Sequence, residues 1–114
     1  MMSATEILAS YRRNLNEPIT VRRYSGTGAS RTAANSEVKG KAWGYTAAEI
    51  VGSIIQGDER VLVIADDLEA AGFSLPVKTS DKVVIGDKEK AIISPGQRKA
   101  PDGTLIAYEL QVRG

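Results

Sequence analysis

The period of the hydrophobic positions changes along the chain. Ile7, Leu8, Tyr11 and Leu15 recur at the spacing of one helical face. Ahead of them, Ser3-Ala4-Thr5-Glu6 has the form of a capping box. Pro18 stops the pattern, because it cannot donate the next helical hydrogen bond. These signals predict a helix over residues 4–15. Ile19–Tyr24 then alternates as a strand does, and Val38–Tyr45 reads as a second strand paired with it. Thr46-Ala47-Ala48-Glu49 is another capping-box pattern and predicts a short helical turn. Ile50-Val51-Gly52-Ser53-Ile54-Ile55 fits a helix or a strand equally.

Beyond the turn Gln56-Gly57-Asp58, Arg60–Ala65 is apolar on both faces of a strand, so both faces need cover. Asp66 or Asp67 is placed to cap a short helix over Leu68–Ala71, closed by Gly72. Pro76 marks a crossing segment. Lys82–Ile85 and Lys88–Ser94 form a predicted hairpin about Gly86-Asp87, and Pro95–Gly103 reads as the connection to a last strand. In that strand Ile106, Tyr108, Leu110 and Val112 share one face, which belongs on a core. Leu105, Ala107, Glu109, Gln111 and Arg113 share the other, which is wet or meets another subunit. The strand either closes a small barrel or offers an edge to a partner. Glu109, Gln111 and Arg113 are thus candidate subunit-contact residues.

This order of elements predicts one mainly β domain over residues 1–114. Its architecture is a small antiparallel β-barrel or sandwich, with an N-terminal α-helix and a short helix near 67–72. One stretch fits no element. Residues 25–42 are rich in Gly, Ser, Ala, Thr and Asn and nearly lack large apolar groups, which predicts a mobile loop. The cations Arg22, Arg23, Arg31, Lys39 and Lys41 lie in or beside it and are candidates for contact with phosphates.

Charge sharpens this picture. Residues 1–43 carry seven Lys/Arg against three Glu, a balance of +4, and residues 44–114 carry eight against eleven, a balance of −3. Such a two-signed surface suits docking against surfaces of complementary sign. The chain has no Cys and no His. Disulfides, thiolate nucleophiles, cysteine zinc sites and the usual neutral-pH general base are therefore excluded. "SGTGAS" lacks the spacing and context of a phosphate-binding loop. Asp58/Glu59 and Asp66/Asp67/Glu69 lack EF-hand spacing. No catalytic, cofactor-binding or metal-ligating residue is singled out. No apolar run reaches the roughly 20 residues of a membrane helix, and the first residues do not read as a signal peptide. The expected setting is a reducing cytoplasm.

Three segments taken in order, "GSIIQGDERVLV…ADDLEAAGF…LP", "DKVVIGDKEKAII" and "GTLIAYELQVRG", resemble the small neck proteins of tailed bacteriophages. These are the head–tail joining, head-completion, head-closure or stopper proteins. The resemblance covers roughly residues 44–114. It is most specific at Gln56-Gly57-Asp58 and at Ala107–Gly114. It departs from the family at Gly86-Asp87, where such proteins often carry Asp-Gly. The resemblance implies a β-barrel subunit that forms a ring between the portal or adaptor and the tail, compatible with a monomer when isolated. It further implies that double-stranded DNA passes through the lumen, that the subunit helps close this channel, and that a loop projects into it as a gate, for which 25–42 is the candidate, with Arg22, Arg23, Arg31, Lys39 and Lys41 as its channel- or partner-contacting residues. The implied location is the virion, by way of the host cytoplasm, with no membrane, enzyme activity or cofactor. A free-standing small-barrel nucleic-acid-binding module using residues 22–41 is the alternative. An enzyme of another type is disfavoured by the missing His and Cys.

Overall fold

Six antiparallel strands close into a barrel in the order β1-β2-β3-β6-β5-β4. The computed structural model describes residues 3–114. The elements are α1 (Ala4–Asn14), β1 (Glu17–Ser25), β2 (Thr32–Gly44), β3 (Glu59–Ile64), α2 (Ala65–Ala70), β4 (Lys82–Ile85), β5 (Lys88–Lys99) and β6 (Leu105–Arg113). Fold class and both helices follow the sequence expectation. β6 lies between β3 and β5 and pairs with each. It therefore closes the barrel, and neither of its edges is left open.

Two cores explain why β3 is apolar on both faces. Val61 and Val63 point into the barrel, where Ile19, Val21, Val38, Val83, Ile92, Tyr108, Leu110 and Val112 meet them. Leu68 of α2 and Phe73 and Val77 of the crossing segment join this core. Leu62 and Ile64 point outward into a second cluster with Leu15, Ala100, Ile106 and Ala107, and Ile7, Leu8, Tyr11 and Trp43 pack against it. That outer cluster is what α1 covers. The helix starts as its sequence dictates, with the Glu6 N–H donating to Ser3 Oγ at 3.2 Å and the Glu6 carboxylate accepting in return. Each large side chain buried in either core contributes about 1.5–3 kcal/mol.

Several local expectations need correction. Residues 25–42 are not a structureless loop: β2 begins at Thr32 and stays in register with β1 from Ser25↔Thr32 to Glu17↔Gly40. The backbone ladder holds this segment where apolar packing cannot, since residues 32–35 are all exposed. β5 runs on to Lys99, leaving only residues 100–104 as the connection to β6. Residues 50–55 form neither helix nor strand; Gly52-Ser53 is a turn and the rest is irregular. Asp66 and Asp67 sit inside the first turn of α2 and do not cap it; its N-cap is Ile64. Ile106 lies in the outer cluster, not in the barrel. The register shift where Arg98 pairs Ala107 and Lys99 pairs Leu105 leaves Ile106 as an extra residue, and one extra residue reverses the alternation. The Gly86-Asp87 turn is as expected, with φ of 53° and 67°, the pair of positive angles that a tight two-residue hairpin requires.

Candidate interaction surface

β1 and β2 are longer than the strands that flank them. β4 pairs with β1 only over Thr20–Arg22, and β3 pairs with β2 only over Gly40–Gly44. The far part of the hairpin, residues 23–34, is thus a two-stranded arm that extends past both flanking strands.

The five candidate cations divide on this arm. Arg23 is structural: Nε and Nη2 each donate to Asp81 at 2.8 Å, and Nη1 and Nη2 donate to the carbonyls of Ser74 at 2.8 Å and Pro76 at 2.9 Å. Its guanidinium also lies 4.4 Å from the Phe73 ring centre. This fork ties the base of the arm to the crossing segment. Arg22 points to the outer face and is also engaged, donating to Asn35 Oδ1 at 2.7 Å and to Glu89 Oε2 at 2.9 Å. Glu89 in turn accepts from the Tyr24 hydroxyl, and this bond, seconded by Arg22, holds its carboxyl below the ordinary range. Arg31, at the arm's tip, stacks on Tyr24 with 3.9 Å from its guanidinium carbon to the ring centre. Lys39 and Lys41 are exposed on the outer face of β2. Alternation along the strands puts Arg22, Arg31, Lys39 and Lys41 on one face and Arg23 on the other.

The candidate contact residues of β6 are used within the chain. Glu109 pairs with Arg98. Gln111 is buried, and its Nε2 donates to Asp58 Oδ2 at 2.9 Å and to the Ser53 carbonyl at 3.1 Å. Arg113 donates in a fork to both Asp58 oxygens, at 2.8 and 2.9 Å, and to the Ser53 carbonyl at 3.0 Å. The loop 46–58 thus lies over Gln111 and Arg113. What faces outward there is the loop itself, with Val51 67% and Ile55 49% exposed. Ile55 lines a shallow cleft with Tyr45, Ala47, Ile50 and Gly57.

Asp58, which the sequence presents only as a turn residue, is the hub of this site. It accepts from Arg113, Gln111 and the Ile55 N–H, and the Arg113 fork is the main reason its carboxyl is held far below the usual carboxylate range. Asp81 repeats the device: its own N–H reaches the Lys78 carbonyl at 3.0 Å and its side chain accepts the Lys78 N–H at 2.8 Å, while Arg23 forks onto it. Ile55-Gln56-Gly57-Asp58 and Lys78-Thr79-Ser80-Asp81 each stand immediately before a strand. The part of this visible in the sequence is an Asp that closes a short turn immediately before a strand; its burial and its Arg partner, 55 or 58 residues away, are not. Nearby, Arg60 lies between Trp43 and Tyr45, 5.0 and 4.8 Å from their ring centres, and donates to Glu49 at 2.8 Å. Glu49 is lowered first by its bonds to Thr46, and Tyr45 is raised mainly by burial.

These ion pairs and hydrogen bonds fasten the arm and the loop 46–58 to the barrel. Among the described residues no cluster of three or more His, Cys, Asp or Glu is placed to hold a metal ion. No helix among them is long and apolar enough to cross a membrane. No protein-family model, curated protein or solved structure matches the chain.

Proposed function

We propose that the chain is a structural subunit of the head–tail connector, or neck, of a tailed phage or prophage. In this reading it assembles as a ring between the portal or adaptor and the tail, in the virion, and performs no catalysis. The arm directs its polar outer face toward the lumen, through which double-stranded DNA passes. Beyond the sequence resemblance, the observation that carries the reading is the pairing of a closed barrel with an arm that buries little. A barrel with no open sheet edge on β6 is a rigid unit to pack side by side. The arm's residues 32–35 are all exposed, as suits a segment that contacts something outside the subunit. The exposed Val51 and Ile55 offer a second surface for a neighbour.

The test is to shorten the arm while keeping its base. Removing residues 24–33 and joining Arg23 to Ala34 through Asn-Gly retains the Arg22↔Asn35 pairing and the Arg23–Asp81 fork. The variant should melt as the parent does yet fail to support infectious particles or retention of DNA in filled heads. Full complementation removes the arm from the neck reading. The alternative, a free-standing nucleic-acid-binding module, rests on the exposed Arg31, Lys39 and Lys41 sharing one face. It requires salt-sensitive binding of double-stranded DNA by the isolated chain.

A further inference from the structure

Among the described residues, besides the short overhang of β1 past Arg22, two longer strand edges lack a neighbouring strand, and they are built differently. β5 pairs with β4 only as far as Ala91, so the β4 side of residues 92–99 carries no strand. That edge is guarded. Pro95 has no N–H, the register shifts at Ile92/Ser94 and again at Arg98/Lys99, and Arg98 and Lys99 bring charge. These are the usual means of preventing edge-to-edge association. The other edge is that of β2 over Thr32–Glu37, where β3 has already ended. Over Thr32–Ser36 it carries no charge, no proline and no bulge, and Ala33 and Ala34 leave its backbone bare. Helix α2, which follows β3, packs against β2 near Val38, so the bare part of this edge is Thr32–Asn35, where none of those devices is present.

The sequence along the unguarded edge specifies an occupant. Residues 31–37 read Arg-Thr-Ala-Ala-Asn-Ser-Glu. Laid antiparallel on itself with Ala34 opposite Ala34, this segment sets Arg31 opposite Glu37 at both ends. Between them Thr32 meets Ser36 and Ala33 meets Asn35. Arg31 closes the turn just before β2 with extended backbone angles, φ −63° and ψ 131°, in line with the strand that starts at Thr32. Alternation puts Arg31, Ala33, Asn35 and Glu37 on one face, so the opposite charges meet on the same side of the sheet. Neighbouring registers lose this match. Centring on Asn35 puts Arg31 opposite Lys39, and centring on Ala33 puts Glu37 opposite Ala29. We propose that a second copy of this chain pairs antiparallel along the β2 edge, with a two-fold axis through Ala34 and Arg31–Glu37 ion pairs at both ends. Such a contact is isologous and closes at the dimer. It concerns the free chain and does not depend on the neck reading.

The chain contains no Cys, which makes the test direct. Ala34→Cys places one thiol on each side of the axis. Directly opposed antiparallel residues stand about 4.5–5.5 Å apart at Cα, within the roughly 4.4–6.8 Å a disulfide spans. Under mild oxidation Ala34→Cys should form a covalent dimer at least about tenfold faster than Ala33→Cys or Ser25→Cys, which sit off the axis. In sedimentation without cross-linking, Arg31→Glu and Glu37→Arg should each weaken the dimer by about tenfold, because both ends then carry like charges. The double swap should restore it. Thermal melts of these exposed-site variants check that folding is intact. Equal cross-linking at the three positions, assembly beyond a dimer, a thiol at 34 that stays unreacted at high protein concentration, or a double swap that fails to restore pairing would each overturn the proposal.

Discussion

Arg113 and Asp58 are joined by a forked ion pair, Nε to Oδ1 at 2.8 Å and Nη2 to Oδ2 at 2.9 Å, with the carboxylate side chain only 1% exposed and the guanidinium 38% exposed. The pair fastens the loop 46–58 to the last strand. Asp58→Ala leaves Arg113 and Gln111 without their shared acceptor. Because Arg113 is more than a third exposed, the loss is set by hydrogen bonds to a charged group, not by a fully desolvated pair, and should be about 1–3 kcal/mol in urea unfolding. A loss near zero would mean that the loop does not depend on this carboxylate.

The same carboxylate gives acid sensitivity with a definite sign. Its pKa is lower folded than unfolded, through the Arg113 fork above all. Its stabilisation is therefore complete above the unfolded value, about 3.9, and is lost as the pH falls below it toward the folded one. The gap in urea midpoint between the parent and Asp58→Asn should hold constant from neutral pH to about 5 and shrink below about 4. The chain has no His to add a step between these limits. A gap that widens in acid would reverse the assignment.

Gly40 is fixed by space. A Cβ there would lie 2.6 Å from the Leu62 carbonyl oxygen and 2.9 Å from the Ile19 side chain, and the backbone oxygen cannot move away alone. Gly40→Ala should cost about 1–3 kcal/mol through overpacking. Gly44, where a Cβ meets nothing within 4 Å, is the matched control and should tolerate Ala far better.

Leu110 is wholly buried in the barrel. Leu110→Ala should lower stability by about 2–5 kcal/mol. A loss below about 0.5 kcal/mol, the level of a surface change, would put the face assignment of β6 in error.

Trypsin should cut after Arg31 at the tip of the arm well before it cuts after Lys39, which lies within β2 opposite Pro18. Simultaneous cutting would mean that the whole of 25–42 is loose in the native state.

The sequence and the structure agree most where apolar periodicity is strong. The Ile7/Leu8/Tyr11/Leu15 stripe, the doubly apolar Arg60–Ala65 run and the Tyr108/Leu110/Val112 face each took their expected places. Residues 32–36 were misread because their strand is held by backbone pairing, which small polar side chains do not advertise. Ile106 was misplaced because a bulge depends on the partner strand, and no pattern within β6 encodes it. Asp58 and Asp81 gave no local sign of burial, since the arginines that make burial tolerable lie 55 and 58 residues away in sequence.

The barrel is not equally strong all the way round. Nine residue pairs join β1 to β2, but only three join β1 to β4. Beside that short seam Arg23 grips Asp81 and two carbonyls of the crossing segment. Arg22 and Tyr24 reach Glu89 of β5 from the outer face, so the cylinder is latched by side chains where its backbone stitching is thinnest. Release of these side-chain latches with the three backbone pairs would let the β1–β2 ribbon hinge outward as a unit, while the sheet from β3 through β6 and β5 to β4 keeps its own pairing.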